Sequence, residues 1–246
     1  MEEITTVFWD LDGTIAETEM DGHRVAFNMA FSHIGLDWHW DRIIYSKLLL
    51  VAGGKNRIRK YLEDTNYSLK EHEIVKIHLL KQQFYVEVIK KDPPKLRIGV
   101  ERILREIECK KIKQYIVTTS SQTAITAFLN AAFPQQNIPF SGWISGDDVI
   151  KHKPNPEAYI KAIELFSCVP EEILVIEDSP AGYFATQSAN LKCLITLPEW
   201  WQGNVDVFER AVAIVTNLGD DDVKTEVVKG NVCKQGKITF EYFLDL

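Results

Sequence analysis

The chain has 246 residues, of which 46% are hydrophobic and 26% charged, and its formal net charge is −7. That length supplies one large core or two modest ones, and the composition is that of a folded globular chain, not of a disordered or fibrous one. Because the acidic excess runs without any basic tract, nucleic acid and anionic membrane are excluded as main partners, and an anionic small molecule would need a local positive site.

The first element is the apolar run "ITTVFW" (4–9), read as a strand that breaks into Asp10-Leu11-Asp12-Gly13-Thr14. Met1 runs almost directly into it, so no signal or transit peptide is expected, and no apolar run nears the ~18 residues of a membrane span. From 18 to 94 the pattern turns helical. "GHRVAFNMAFSHIG" has apolar positions at helical spacing and closes on Gly35, and "EHEIVKIHLLKQQFYVEVIK" continues in the same manner. The stretch ends at "KDPPKLRIG", where Pro93 and Pro94 stop a helix and suit a hinge.

Strand-like runs resume at "QYIVT" (114–118), "WIS" (143–145), "ILVIE" (173–177) and "KCLIT" (192–196), with helical stretches between them. This alternation predicts an α/β fold with a doubly wound parallel sheet. About a hundred residues separate the first two strands, far more than a crossover helix requires. A helical domain, 18–94, is therefore expected as an insertion into a core made of 1–17 and 95–246. The tail is acidic at "GDDD" and ends in "ITFEYFLDL", expected to pack as a short element on the core. Cys109, Cys168, Cys193 and Cys233 stand far apart with no CxxC or Cys/His pairing, which reads as free thiols in a reducing cytoplasm.

In an open parallel sheet, ligands bind at the carboxyl ends of the strands. The first strand ends in Asp10 and Asp12, and the second in Thr118-Thr119-Ser120-Ser121. The third is followed by Lys153 before a Pro-rich helix entry, and the fourth ends in Glu177-Asp178-Ser179. Carboxylates from two strand ends, hydroxyls from a third and one lysine meet the needs of phosphoryl transfer: a nucleophile, a hard cation and positive charge around the equatorial oxygens. Carboxylate oxygens suit Mg²⁺. No GxxxxGK[ST] occurs, so phosphate is expected as the reacting group and not as part of a bound nucleotide. An EF-hand reading of Asp10–Gly13 fails because Ile15 and Asp21 occupy the positions that want Gly and Glu. Taken singly, the Asp-Gly pair could be a turn former, the Thr/Ser run a helix cap and Lys153 a solvated side chain; their conjunction at successive strand ends favours chemistry.

The ordered set DxDGT, Thr/Ser after a strand, Lys-Pro and Glu-Asp-Ser resembles the haloacid dehalogenase (HAD) superfamily of aspartate-nucleophile phosphotransferases. "AETEMDGHRVAFNMAF", "GLDWHWD" and "AGGKNRI" are similar to its CbbY subgroup, sugar-bisphosphate phosphatases associated with the Calvin cycle that hydrolyse xylulose 1,5-bisphosphate. The resemblance implies a Rossmann-like core with an α-helical cap, and Asp10 as nucleophile with Asp12 as general acid and base. It further implies Thr119, Ser120 and Lys153 on the phosphoryl group. Mg²⁺ would be held by Asp10, the Asp12 backbone carbonyl, Asp178 and Glu177, the last as a direct ligand or through a water. Glu17, His23, Gly54, Lys55 and Arg57 would meet the sugar and its distal phosphate. The expected partner is a small sugar phosphate, and the chain is expected to be monomeric. Two other outcomes stay open at this level: a sugar phosphomutase and a phospho-accepting signalling domain.

Overall fold

The computed structural model describes residues 4–65, 67–134 and 138–246. In chain order, β1 (Thr6–Trp9) leads through a π-helical turn (Glu19–His23) into α1 (Arg24–His33), α2 (Arg42–Leu48), α3 (Gly54–Thr65) and α4 (Glu71–Lys91). Then follow α5 (Val100–Cys109), β2 (Lys113–Val117), α6 (Gln122–Ala132), β3 (Gly142–Ile144), α7 (Glu157–Phe166), β4 (Ile173–Glu177), α8 (Pro180–Ser188) and β5 (Lys192–Thr196). β6 (Ala213–Val215), β7 (Val227–Lys229) and α9 (Phe240–Leu244) complete the chain. Two compact units result: Met1–Ala16 with Leu96–Ser120 and Asn137–Leu246, and Glu17–Lys95 with Ser121–Gln136.

The first unit is built on one sheet of order β3-β2-β1-β4-β5-β6-β7. Every pairing is parallel except that of β6 with the edge strand β7. Every residue of β1 and β4 is buried, which is why those strands read as continuous apolar runs and not as alternating ones. On one face Phe8, Val117, Ile144 and Val175 pack with Tyr159 and Ala162 of α7. Farther along the sheet Cys193, Ile195 and Ile214 pack with Tyr183 and Phe208. The terminal apolar stretch folds as expected onto its own unit: α9 lies on α5, Phe240 and Phe243 are buried, and the Phe240 N–H donates to Glu106 Oε1 at 2.7 Å.

The second unit is helical. α1 and α6 both pack on α4, and Ala26, Tyr85, Ile89 and Ala124 form part of the seam. Phe27, Phe31, Trp40 and Tyr45 are fully buried together. Asn28 holds the 36–41 loop by accepting from the Trp40 N–H and donating to its carbonyl, and the Asp41 side chain caps α2 by accepting from Ile44 N at 2.7 Å. α6 thus groups with the helical unit, although its sequence lies within the 95–246 stretch expected to form the core. No helix among the described residues is long and apolar enough to cross a membrane.

Candidate active site

β1 and β4 run side by side with Trp9 opposite Ile176. The next residue of each chain, Asp10 and Glu177, therefore emerges at the same carboxyl edge, and Asp10 N–H still donates to Ile176 O at 3.0 Å. Lys153 arrives from the loop before α7. Its Nζ donates to Asp10 Oδ1 at 2.7 Å, Glu177 Oε1 at 2.6 Å and Val117 O at 2.7 Å, which uses all three ammonium protons. Exposure is 7% for Asp10, 4% for Lys153, 0% for Glu177 and 4% for Asp178, so these charges are tolerated only because they face one another. Burial pushes the Asp10 carboxyl well up, with Lys153 opposing and Glu177 adding to the rise. Burial works against the Lys153 charge, yet Asp10 and Glu177 outweigh it and hold the ammonium above its ordinary range. Asp10 Oδ2 receives no hydrogen bond among the described residues.

Asp10, Glu177 and Asp178 each present a carboxylate oxygen within 4.8 Å of the others. A buried, anionic, all-oxygen donor set of this kind fits a hard cation of the Mg²⁺ class. Two glycines let backbone approach it. A Cβ on Gly13, whose φ is +86°, would fall 2.1 Å from Asp178 Oδ2, and one on Gly182 would fall 1.9 Å from the Glu177 carboxyl carbon. Only glycine meets both conditions at residue 13.

The hydroxyl run after β2 divides its work. Ser120 Oγ donates to Asp12 Oδ2, and the Thr118 hydroxyl accepts from Ser120 N at 3.1 Å. Ser121 caps α6 by accepting from Ala124 N, and Thr119 is exposed. The Asp12 side chain thus accepts from Ser120, and its charge adds to the rise at Asp10. This leaves two carboxylates at one strand end in different environments: one buried against an ammonium, the other half-buried on a hydroxyl. Environments that differ in this way suit a nucleophile and a proton carrier.

The family profile for haloacid dehalogenase-like hydrolases matches residues 7–196, a span that holds Asp10, Asp12, Lys153, Glu177 and Asp178. The chain belongs to the haloacid dehalogenase-like hydrolases. This hydrolase is 34% identical over 204 residues to Protein CbbY of Rhodobacter capsulatus, covering 82% of this chain and 89% of that one. The crystal structure of a mutant CbbY from Rhodobacter sphaeroides in complex with xylulose-(1,5)bisphosphate superposes with a TM-score of 0.79 at 31% identity, over 87% of this chain and 94% of that chain. A beta-phosphoglucomutase from Clostridium difficile shares the fold at a TM-score of 0.72 and 23% identity, over 98% and 96% of the two chains.

The remaining candidates of this haloacid dehalogenase-like hydrolase lie in its helical unit. Glu17 accepts from Met20 N at 3.3 Å. Arg57 is held by Glu19, with Nη2 3.1 Å from Oε1 and Nη1 3.2 Å from Oε2, and Tyr45 Oη donates to the same Glu19 Oε2 at 2.7 Å. His23 is buried, stacks on Tyr85 with centroids 4.0 Å apart, and has Nδ1 2.8 Å from Lys81 Nζ. Gly54 opens α3 against the His78 ring, which a Cβ would meet at 2.8 Å, and Lys55 is exposed. The fold thus brings together Glu19, Tyr45 and Arg57, and separately His23, Lys81 and Tyr85. Glu19, Tyr45 and Lys81 escaped the sequence reading. A signal for Lys81 was present: it interrupts the stripe Ile74, Ile77, Tyr85, Ile89 that α4 buries.

Arg97 also escaped it. Its guanidinium donates to the carbonyls of Gly13 (2.5 Å), Thr196 (3.0 Å), Leu197 (2.5 Å) and Thr216 (3.3 Å). One side chain thereby ties the turn after Asp12 to the ends of β5 and β6. Those partners lie between 84 and 119 residues away in sequence, so no local pattern marks the residue.

Proposed function

We propose that this hydrolase is a Mg²⁺-dependent phosphatase that works through a phosphoaspartate on Asp10, with a small sugar bisphosphate as substrate and xylulose 1,5-bisphosphate as the leading candidate. The observation that carries the chemistry is the Lys153 ammonium bridging Asp10 and Glu177 beside Asp178. The substrate reading draws support from the CbbY relative whose crystal structure contains xylulose-(1,5)bisphosphate.

Asp10 Oδ2, free of donors among the described residues, attacks phosphorus as the bond from phosphorus to the sugar oxygen breaks. Asp12 gives its proton to the departing oxygen and then takes one from a water. The water oxygen bonds to phosphorus, the bond to Asp10 breaks, and inorganic phosphate leaves. The Ser120 hydroxyl keeps the Asp12 carboxylate in one orientation through both steps. Thr119 is assigned as a donor to the equatorial phosphoryl oxygens, and Lys153 as the positive charge that offsets them. Mg²⁺, which Asp10, Glu177, Asp178 and the Asp12 carbonyl would hold, supplies neutralisation of the anionic oxygens. Glu17 at the entry to the helical unit, and His23, Gly54, Lys55 and Arg57 within the 18–94 cap, are assigned to the sugar and its distal phosphate. The unpaired state of all four cysteines suits a cytoplasmic setting.

A phosphate-release screen over sugar mono- and bisphosphates, with and without Mg²⁺, tests this reading. Mg²⁺-dependent release with a clear preference for xylulose 1,5-bisphosphate is expected. Flat activity across the panel would defeat the substrate assignment, and an isomeric sugar phosphate as main product would make the enzyme a mutase.

A further inference from the structure

α7 buries Ala158, Tyr159 and Ala162, and Tyr159 is a member of that face which ends in the carboxylate cluster. Its ring lies near-parallel to Phe8 of β1, with centroids 6.4 Å apart and 17° between planes. Its hydroxyl reaches past the ring edge and donates to Glu177 Oε1 at 2.8 Å. The same oxygen accepts from Lys153 Nζ at 2.6 Å, and that ammonium also stands over the Tyr159 ring at 5.0 Å. One side chain therefore touches two members of the cluster, through its hydroxyl and through its face.

The Glu177 carboxylate has a defined set of partners. Oε1 takes Lys153 and Tyr159, and Oε2 takes Asp178 N at 3.1 Å and Ser179 Oγ at 3.3 Å. The two shortest contacts are both on Oε1. Lys153 is shared with Asp10 and Val117, so Tyr159 is the Oε1 donor that is not pulled toward another acceptor. Removing its O–H leaves Oε1 to a lysine with two other claims on it, while Oε2 keeps its two longer contacts.

We propose that Tyr159 is a positioning residue: its hydroxyl fixes the Glu177 carboxylate against Lys153 and so sets the affinity of the Asp10, Glu177 and Asp178 oxygens for a divalent cation. The inference rests on the reading of those oxygens as a Mg²⁺ site. Partners that orient metal-ligating groups are worth about 10- to 100-fold in metal affinity. Tyr159 acts through Glu177 and contributes no atom to the bonds that form and break.

Tyr159→Phe keeps the ring, its packing on Phe8 and its face toward Lys153, and deletes one O–H. Mg²⁺ binding is measured by titration calorimetry without substrate on wild type and Y159F, beside phosphate release as a function of Mg²⁺ and thermal unfolding. The expected result is a Mg²⁺ dissociation constant about tenfold weaker in Y159F. Its kcat recovers as Mg²⁺ is raised, and its KM for substrate at saturating Mg²⁺ is unchanged. Normal uptake by wild type with equal affinity in Y159F overturns the inference alone, whatever the unfolding temperature, because a merely structural tyrosine gives that outcome. Wild-type protein that takes up no Mg²⁺ overturns the metal reading and this inference with it.

Discussion

Lys153 is the residue on which the chemistry of the first unit converges. With three protons on Asp10, Glu177 and a backbone carbonyl, it is the counter-ion that lets two carboxylates stay buried, and its charge is what would draw an anionic phosphoryl group to them. Lys153→Met keeps much of the volume and removes the charge, leaving Asp10 and Glu177 buried against each other. Loss of phosphate release is expected together with a fall in stability of about 3 kcal/mol, the cost of stripping one partner from a buried ion pair; chemical denaturation measures the second. Asp10, Asp12, Glu177 and Asp178 were legible in the sequence because they stand at the ends of apolar strands, and Lys153 because it lies in the loop that leads from a third strand into a Pro-rich helix entry. Tyr159 and Arg97 were not, because an aromatic in a helix and an arginine in a loop carry no local sign of partners brought in by the fold. Ser120 was legible as a hydroxyl at a strand end, but its attachment to Asp12 is a tertiary fact.

The short turn Gly13–Ala16 and the strand ends around it form the element that holds the two aspartates. Gly13 N donates to Ala16 O, Ile15 and Ala16 N–H groups return to Leu11 O, and Arg97 N donates to Ile15 O. The Arg97 guanidinium then fastens the Gly13 carbonyl to β5 and β6. Lysine cannot reproduce a planar fork on four carbonyls. Arg97→Lys is therefore expected to lower stability by about 2 kcal/mol and to reduce kcat more than it raises KM, since the loosened turn carries Asp10 and Asp12 on its near side. Denaturation midpoints and steady-state kinetics read the two effects, and a variant with wild-type kcat would show the clamp to be structural only. Five of the strands were readable as β-rich runs between helical stretches. β6 and β7 have three residues each and, unlike the equally short β3, are not set off by α-helices in the chain, and β7 is largely exposed at the sheet edge. α6 has a clear helical sequence, but its membership of the helical unit comes from packing on α4, which no pattern within 122–132 encodes.

At the scale of the whole molecule, a chain of net charge −7 still sets Lys55, Arg57 and Lys81 near His78. In the helical unit this has a cost for acid stability. Burial, joined by the charges of Lys81, Lys55, His23 and Arg57, lowers the His78 imidazole to about 3. In the unfolded chain this imidazole takes up a proton near pH 6.5 and in the folded chain it does not, so it makes stability fall as pH drops below about 6.5 and level off below about 3. His78→Gln is expected to flatten the loss of stability between pH 6.5 and 5, by up to about 2 kcal/mol at pH 5, measured by urea denaturation across that range; a slope unchanged from wild type would contradict it. The central claim concerns the other unit, that Asp10 becomes covalently phosphorylated during turnover. The direct measurement is intact and peptide mass spectrometry on enzyme acid-quenched during steady-state hydrolysis with Mg²⁺, run on wild type and on Asp10→Asn. One added phosphoryl group mapped to Asp10 in wild type, with no adduct and no phosphate release in the variant, is the expected result. Full turnover by Asp10→Asn would contradict it.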